Sequence, residues 1–272
     1  MNFTKKLFLD CSKVGALVWM VFVLLSCATS LEGRKQLILM PDAQMDTMGA
    51  SAFEDMKAKT PIARDARKNG YVRCITDLLL RQIADGAGWE VVVFESNDIN
   101  AFALPGKKIG VYTGMFKVAQ TSAQLAAVIG HEIGHVTARH GNERVSTAML
   151  SQMGLSAVQE VMRAKQGQDY QMLMGALGLG MQFGVLLPHG RKQESEADMI
   201  GLDLMARAGF DPQQSVMLWQ NMDRESGGGQ PEWLSTHPSH DTRIRQLSAN
   251  MSEALPLYQN SGFKQAASSC RL

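Results

Sequence analysis

The five residues His131-Glu132-Ile133-Gly134-His135 constrain this chain more than any other feature. They read H-E-x-x-H, and in an α-helix residues four positions apart lie on the same face. Two imidazoles at that spacing can hold one zinc ion, and the glutamate between them can reach a water on the metal. The pattern therefore predicts a helix here and is typical of zinc-dependent hydrolases.

The residues around the motif support this helix. Thr121-Ser122 can cap a helix whose body runs from Leu125 to Arg139. Gly130 and Gly134 share another face of it, and each glycine costs about 1 kcal/mol relative to alanine in a helix interior. We expect the close approach of another backbone, for example that of a sheet, to offset this cost.

A catalytic zinc site needs a third protein ligand. The segment Glu194-Ser195-Glu196-Ala197-Asp198 lies in a second predicted helix, 191–208. Glu194 and Asp198 share one helical stripe with apolar residues, whereas Glu196 points to nearly the opposite side. We therefore predict Glu194 as the third ligand and Asp198 as the acceptor for the free N–H of a liganding histidine. The alternative is that both acids lie on a solvated helix face.

Between a mostly helical region, 50–85, and the motif helix the hydrophobic period changes to that of strands. The predicted strands cover residues 89–94, 101–104 and 108–113. The predicted fold class is α+β, mainly α-helical, with a small three-stranded antiparallel sheet beside the active-site helix. We expect strand 108–113 to offer an edge to an extended substrate, since β-strand addition gives sequence-tolerant binding.

Most of the remaining chain is also predicted to be helical. Helices are expected over 142–165 and 212–221, and a final helix is expected to begin at Pro238-Ser239. Pro188-His189-Gly190 is expected to interrupt the helical pattern before residue 191. The apolar segment Met172 to Leu187 is too short and too rich in glycine for a membrane span. We interpret it as a buried helix or a lid, with contact at a membrane surface as the alternative.

The first 26 residues have the pattern of a lipoprotein signal peptide. Basic residues precede the apolar run Val14 to Leu25, which is shorter than the about 20 residues that a membrane-spanning helix needs. The run ends at Leu24-Leu25-Ser26-Cys27, which resembles a bacterial lipobox, so Cys27 is expected to carry lipid. Ala28 follows it instead of an inner-membrane retention aspartate, which implies an outer-membrane anchor facing the periplasm. The alternative is a signal anchor that is never cleaved.

We expect residues 27–45 to form the lipidated N-terminus and a linker, and residues 46–272 to form the metallopeptidase domain. Beyond the signal peptide and Cys27, the remaining cysteines are Cys74 and Cys270, which can form a disulfide in an oxidising compartment. Alternatively, Cys74 is a buried apolar thiol on a helical stripe. The net charge of +1 argues against nucleic acid as a partner.

The two motifs together resemble those of the HtpX and CAAX-prenyl-protease type of zinc metallopeptidases, and the chain is similar to their soluble periplasmic lipoprotein branch. The resemblance covers residues 50–250 and includes Asn100-Ala101-Phe102-Ala103 and Ser235-Thr236-His237-Pro238. It implies a zincin-like fold. It also implies one Zn²⁺ per chain, held by His131, His135 and Glu194.

The resemblance also implies roles for further residues. Glu132 would take a proton from water and pass it to the leaving amine. His237 would stabilise the tetrahedral oxyanion or, in a latent state, take the open position of the metal, and Arg243 would hold the loop that carries it. The alternatives are a loop histidine before a helix cap and a surface arginine. The other histidines are interpreted as structural: His140, His189 and His240.

These features together predict a zinc endopeptidase of the bacterial envelope. Its expected substrates are unfolded or misassembled envelope proteins, and its expected second partner is the outer membrane, through the lipid anchor. One alternative is a chaperone-like assembly factor in which cleavage is secondary. Another is a binding lipoprotein with a structural zinc, and the intact Glu132 argues against it because a structural site needs no base.

Overall fold

The computed structural model describes residues 27–163, 187–225, 237 and 240–272. The predicted signal peptide and residues 172–186 of the apolar segment lie outside these ranges. Among the described residues, no helix is both long and apolar enough to cross a membrane. The elements in chain order are β1 (Cys27–Thr29), β2 (Lys35–Leu37), α1 (Asp42–Lys59), α2 (Ala66–Leu80), β3 (Glu90–Phe94), β4 (Ala101–Leu104), β5 (Lys108–Tyr112), a 3₁₀ turn (Thr113–Lys117), α3 (Ser122–Thr137), α4 (His140–Arg163), α5 (Leu187–Arg207), α6 (Gln213–Glu225), α7 (His240–Ala249), α8 (Met251–Asn260) and α9 (Lys264–Ser269).

The mainly helical α+β class is confirmed, but the sheet is mixed and not antiparallel throughout. Its strand order is β3-β5-β4, in which β3 runs parallel to β5 and β4 antiparallel to it. After β3 the chain skips one strand position and forms β4. A hairpin then leads to β5, which fills the position between β3 and β4. Strand β5 is therefore the central strand, so the prediction that residues 108–113 offer a free edge was wrong. The two edge strands are β3, whose outer side is partly hydrogen-bonded to residues 61–63, and β4, whose outer side pairs with no other strand among the described residues.

The register of β4 against β5 is fixed by a large side chain that lies opposite a glycine. Phe102 lies directly opposite Gly110. A Cβ atom at Gly110 would meet the Phe102 ring at 2.2 Å. The ring thus occupies the space that glycine leaves, and a shift of one residue would remove this fit and turn the strand faces over.

Helix α3 begins as predicted and is buried along nearly its whole length. The Thr121 hydroxyl accepts a hydrogen bond from the backbone N–H of Gln124 (3.2 Å), which satisfies one of the free donors of the first turn. Gly130 faces Gly201 of α5, and Gly134 faces Ala197 one turn earlier in α5. The expected close approach of another backbone is present, but it comes from α5 and not from the sheet.

Two apolar clusters hold the elements together. The larger one joins α2, the sheet, α3, α5 and α6, and the smaller one is aromatic and lies between α1 and the sheet around Phe53, Phe94 and Tyr112. A disulfide joins Cys74 of α2 to Cys270 after α9, with their Cα atoms 5.7 Å apart. It fastens the C-terminal helices to the core.

The N-terminal segment differs from its prediction as a linker. Strands β1 and β2 form an antiparallel hairpin, and residues from 42 onward already belong to α1. The Gln36 side chain is buried and donates to the carbonyl oxygen of Ala138 (2.7 Å), and the Leu39 N–H donates to the Ser146 hydroxyl (2.8 Å). The Gln36 side chain and the Leu39 backbone therefore attach the segment to the end of α3 and to α4, contacts that composition alone does not reveal.

One predicted helix boundary and the predicted number of C-terminal helices were also wrong. Helix α5 begins at Leu187 and includes Pro188, where a break was expected. Proline is tolerated in the first turn because the N–H that it lacks has no helical partner there. The helix expected to be the last, α7, is followed by two more, α8 and α9.

Candidate metal centre

The crossing of α3 and α5 creates a buried group of side chains whose types are suited to hold a metal ion. Helix α3 contributes His131 and His135 from adjacent turns of one face, and α5 contributes Glu194. Their exposed fractions are 2%, 9% and 1%. Because Gly130, Gly134 and Gly201 let the two backbones approach closely, these short side chains reach a common point.

The distances between the donor atoms match those of a zinc site. Nε2 of His131 lies 3.0 Å from Nε2 of His135, and the Glu194 carboxylate lies 3.3 Å from the first and 3.4 Å from the second. A tetrahedral zinc with bonds of about 2.0–2.1 Å separates its donors by about 3.3–3.4 Å. Two histidines and one carboxylate are also a known catalytic zinc set. The residues present therefore fit the metal.

His237 completes a group of four possible donors. Its Nδ1 lies 3.2 Å from Nε2 of His131 and 2.9 Å from Oε2 of Glu194, and ligand atoms of all four residues lie within 4.8 Å of one another. Its Nε2 lies 3.5 Å from Oε1 of Glu132, which is itself buried. In this conformation His237 therefore stands where a fourth ligand would stand.

The predicted supporting residues also reach the site. Oδ1 of Asp198 lies 3.0 Å from Nδ1 of His131, on the side of the ring away from the donor group. Arg243, only 1% exposed, donates from Nε to Asp198 (2.6 Å) and from Nη1 to Glu194 (3.2 Å). Its guanidinium stacks over the Trp219 ring at 4.1 Å. The alternative of a surface arginine is therefore wrong, and the geometry holds both carboxylates in place.

Burial and hydrogen bonding have opposite effects on the pKa values of the buried histidines and carboxylates of the site. Burial would lower the pKa of His131, but hydrogen bonds with Asp198 and Glu194 raise it to about 8. Burial holds the pKa of His135 well below its ordinary value. Burial would raise the pKa of both acids, but hydrogen bonds from histidines lower that of Glu194, and the charge and hydrogen bonds of Arg243 lower that of Asp198. Ionised, buried carboxylates beside imidazoles provide a site suited to a cation.

Two residues near the centre had no functional role in the sequence-based prediction. His140 is buried, and its Nδ1 lies 2.9 Å from Nδ1 of His135. Its Nε2 contacts Oε2 of Glu196 at 3.2 Å. The chain reverses at Arg139, whose φ is 58°, between the end of α3 and the start of α4. That reversal returns His140 to the motif, and helical periodicity gives no sign of it. The side chains of His189 and His240 lie outside the described residues.

A family comparison agrees with this geometry. The model of peptidase family M48 matches residues 66–251, which include every donor of the site. The chain belongs to this family. Its members are zinc metallopeptidases, so zinc is the metal that the four-residue group is suited to hold.

Several characterised proteins are similar to this M48 chain. The mitochondrial metalloendopeptidase OMA1 of Arabidopsis thaliana is 38% identical over 80% of this chain and 44% of its own length. The β-barrel assembly-enhancing protease of Yersinia pestis is 29% identical over 72% of this chain and 42% of its own. Metalloprotease LoiP of Escherichia coli is 28% identical over 80% of this chain and 84% of its own. The chain thus spans less than half the length of the Arabidopsis and Yersinia relatives.

Proposed function

We propose that this chain is a zinc-dependent endopeptidase of the bacterial envelope that degrades misfolded or misassembled periplasmic and outer-membrane proteins. The observation that carries the proposal is the position of Glu132, a buried acid one residue after His131 and beside the three donors of α3 and α5. A purely structural zinc site is closed by four ligands and needs no base.

The side chains divide the proposed reaction between them. Zinc, when bound, acts as a Lewis acid that activates a water and polarises the scissile carbonyl. Glu132 accepts the proton of that water and delivers it to the leaving nitrogen. Asp198 holds the ring of His131 in the tautomer whose Nε2 is free, since its carboxylate accepts the Nδ1 proton.

His237 has a different relation to the site from that of the other donors. It comes from neither α3 nor α5, so it can leave without disturbing the other three ligands. In the conformation described, its Nδ1 stands at the fourth position, and we propose that this is the latent state. The visible spectrum of the cobalt-loaded chain tests this: replacement of His237 by Ala should change the ligand-field bands, and identical spectra would contradict the assignment.

The free edge of β4 is the proposed binding site for an extended substrate. The Tyr112 N–H donates to the Asn100 carbonyl oxygen (3.0 Å), so alternation along the antiparallel ladder turns the backbone groups of Ala101 and Ala103 away from β5. Ala103 also lines a cavity of about 660 Å³ together with His135. A peptide paired with this edge would lie near His135, one of the proposed metal donors.

Ala103→Pro is the sharpest test of this edge. It removes an outward-facing N–H without removing a hydrogen bond between β4 and β5. We expect cleavage of casein to fall through a higher KM, while Ala103→Val, which keeps the N–H, serves as the matched control. Equal KM values for the two variants would argue against strand addition.

We further propose that Cys27 carries the lipid that anchors the chain to the outer membrane, facing the periplasm. The lipobox-like sequence supports this, as does similarity to bacterial proteases, one of which is named for β-barrel assembly. The OMA1 relatives are named as mitochondrial, so location rests mainly on the lipobox. Labelling with a palmitate analogue tests the anchor: the label should enter the wild-type chain and not Cys27→Ser.

Replacement of Glu132 by Gln tests the reaction and separates protease from assembly factor. The variant should retain zinc and lose cleavage of casein, with Glu54→Gln on the exposed face of α1 as the control. If a host lacking the chain shows an envelope defect, wild type should correct it and Glu132→Gln should not. A variant that corrects the defect without cleavage would favour the chaperone-like alternative.

A further inference from the structure

A second buried polar cluster lies behind the metal donors. It starts at Nδ1 of His135, the ring nitrogen that faces away from the donor group, and joins the start of α4, helix α5 and the β1–β2 hairpin. The side chains of Glu143 and Glu196 are 4% and 3% exposed, and that of Arg34 is 18% exposed. None of these three residues belongs to the donor group.

The hydrogen bonds of this cluster decide which nitrogen of each ring carries the proton. Nε2 of His135 faces the donor group, so metal binding leaves the ring proton on Nδ1. That N–H donates to Nδ1 of His140 (2.9 Å), which must then carry its own proton on Nε2. The second N–H donates to Oε2 of Glu196 (3.2 Å). The Glu196 carboxylate thus stabilises, in both rings, the tautomers that a metal on Nε2 of His135 requires.

Arg34 of the hairpin holds that carboxylate. Its Nε donates to Oε2 of Glu196 (2.9 Å), and its Nη1 and Nη2 donate to the two oxygens of Glu143 (2.5 and 2.7 Å). The planar guanidinium has the geometry to serve both acids at once. Gln193 holds Glu143 from the other side (2.7 Å).

The two metal-binding histidines are therefore supported unequally. A carboxylate contacts the His131 ring directly, whereas a neutral imidazole contacts the ring of His135. A neutral acceptor forms a weaker hydrogen bond than a carboxylate and depends on its own orientation. Without Arg34, two buried acids would lose their shared counter-charge, and on the hairpin side Glu196 would be held only by the Glu32 N–H and the Ser30 hydroxyl, which carry no charge.

We propose that Arg34 is a positioning residue of the metal centre, which fixes the imidazole of His135 through Glu196 and His140. The inference rests on the proposed zinc site and extends it to a segment seven residues after Cys27. The N-terminal hairpin would thus help to position one of the metal donors.

The test measures how firmly the full chain holds zinc, in mild detergent, by the rate of Zn²⁺ transfer to a coloured chelator. Replacement of a residue that orients a metal ligand typically weakens metal binding about 10–100-fold, which we expect for His140→Ala. Arg34 lies two contacts further from the metal donors than His140 lies, because Glu196 and His140 stand between it and His135, so for Arg34→Ala we expect about a 3–10-fold faster release, just below that range. Lys35→Ala, in the same hairpin with an exposed side chain, should release zinc at the wild-type rate.

A double variant separates positioning from a general loss of stability. If Arg34 acts through His140, adding Arg34→Ala to His140→Ala should not accelerate release further. Arg34→Lys keeps one charge but lacks the fork and should release zinc at an intermediate rate, so it carries the test if Arg34→Ala does not fold.

Two results would overturn this inference and leave the proposed zinc site standing. One is a wild-type rate of zinc release in both Arg34 variants. The other is an equal effect of Arg34→Ala on that rate with and without His140. A wild-type chain that binds no zinc would instead overturn the proposed function.

Discussion

The contact between α3 and α5 makes a prediction about a residue that binds no metal. A Cβ atom added at Gly201 would lie 2.7 Å from the backbone nitrogen of His131 and 2.9 Å from the carbonyl carbon of Gly130. The carbon–carbon distance is about 0.6 Å inside the closest favourable carbon contact of about 3.5 Å. Because both neighbours are backbone atoms, no side chain can rotate to relieve the overlap, and the helices must move apart.

The size of the effect follows from two opposing terms. Overpacking a close contact costs about 1–3 kcal/mol. Replacing glycine by alanine inside a helix returns up to about 1 kcal/mol. Because the overlap is with backbone atoms, the upper part of the first range applies, about 2–3 kcal/mol, and we expect Gly201→Ala to lower the free energy of unfolding by about 1–2 kcal/mol. For a chain of this size that lowers Tm by about 2–8 °C. The same movement displaces His131 from Glu194, so zinc should also be released faster, since such sites tolerate only about 0.5 Å of error.

Gly70 provides the matched control. It lies in the exposed part of α2, and a Cβ atom there would meet no atom within 4 Å. Gly70→Ala should raise stability by about 0.5–1 kcal/mol and Tm by about 1–4 °C, with no change in zinc release. Thermal unfolding of the three proteins by circular dichroism decides the matter. A Gly201→Ala chain that is as stable as wild type and holds zinc equally firmly would refute the reasoning.

Three further predictions concern the same framework. Arg243→Met leaves the buried acids Asp198 and Glu194 without their counter-charge, and we expect it to lower the free energy of unfolding in urea by about 3–5 kcal/mol. The control Arg245→Met, on the exposed face of α7, should lower it little. Equal losses in the two variants would contradict the buried ion pair. Replacing both Cys74 and Cys270 by Ser should cost about 2–5 kcal/mol, and a reducing agent should lower the Tm of wild type but not of this variant. Removal of zinc by a chelator should lower Tm by the linkage between binding and folding, about 4 kcal/mol at a thousandfold excess over Kd, and restored zinc should restore it; an unchanged Tm would mean that the metal does not bind the folded chain.

The local features of the fold were predictable because they depend on neighbouring residues. The cap at Thr121, the motif helix and the three strands of the sheet occur within one or two residues of their predicted positions. Helical phase also separated Glu194 and Asp198 from Glu196, and the structure places the first two beside the motif histidines. Each of these inferences needs only the geometry of one element.

The features that were missed depend on which elements become neighbours. Strand periodicity does not state that β5 lies between β3 and β4, since the pairing is decided by fits such as Phe102 over Gly110. The hairpin at residues 27–37 has a polar sequence, and its attachment depends on acids more than 100 residues later in the chain.

Helix α5 shows why the phase of a helix can point to a candidate metal ligand but not to the role of the opposite face. Periodicity assigns Glu194 to the side that meets α3, and it assigns Glu196 only to the other side. In the structure α5 is covered on both sides, so the Glu196 side chain is nearly as buried as that of Glu194 and requires a counter-charge of its own. Arg34 supplies that charge from the N-terminal hairpin, and the hydrogen bonds through His140 connect it to the metal centre. An acid opposite a metal ligand on a buried helix therefore predicts a distant cation, whose identity only the tertiary structure reveals.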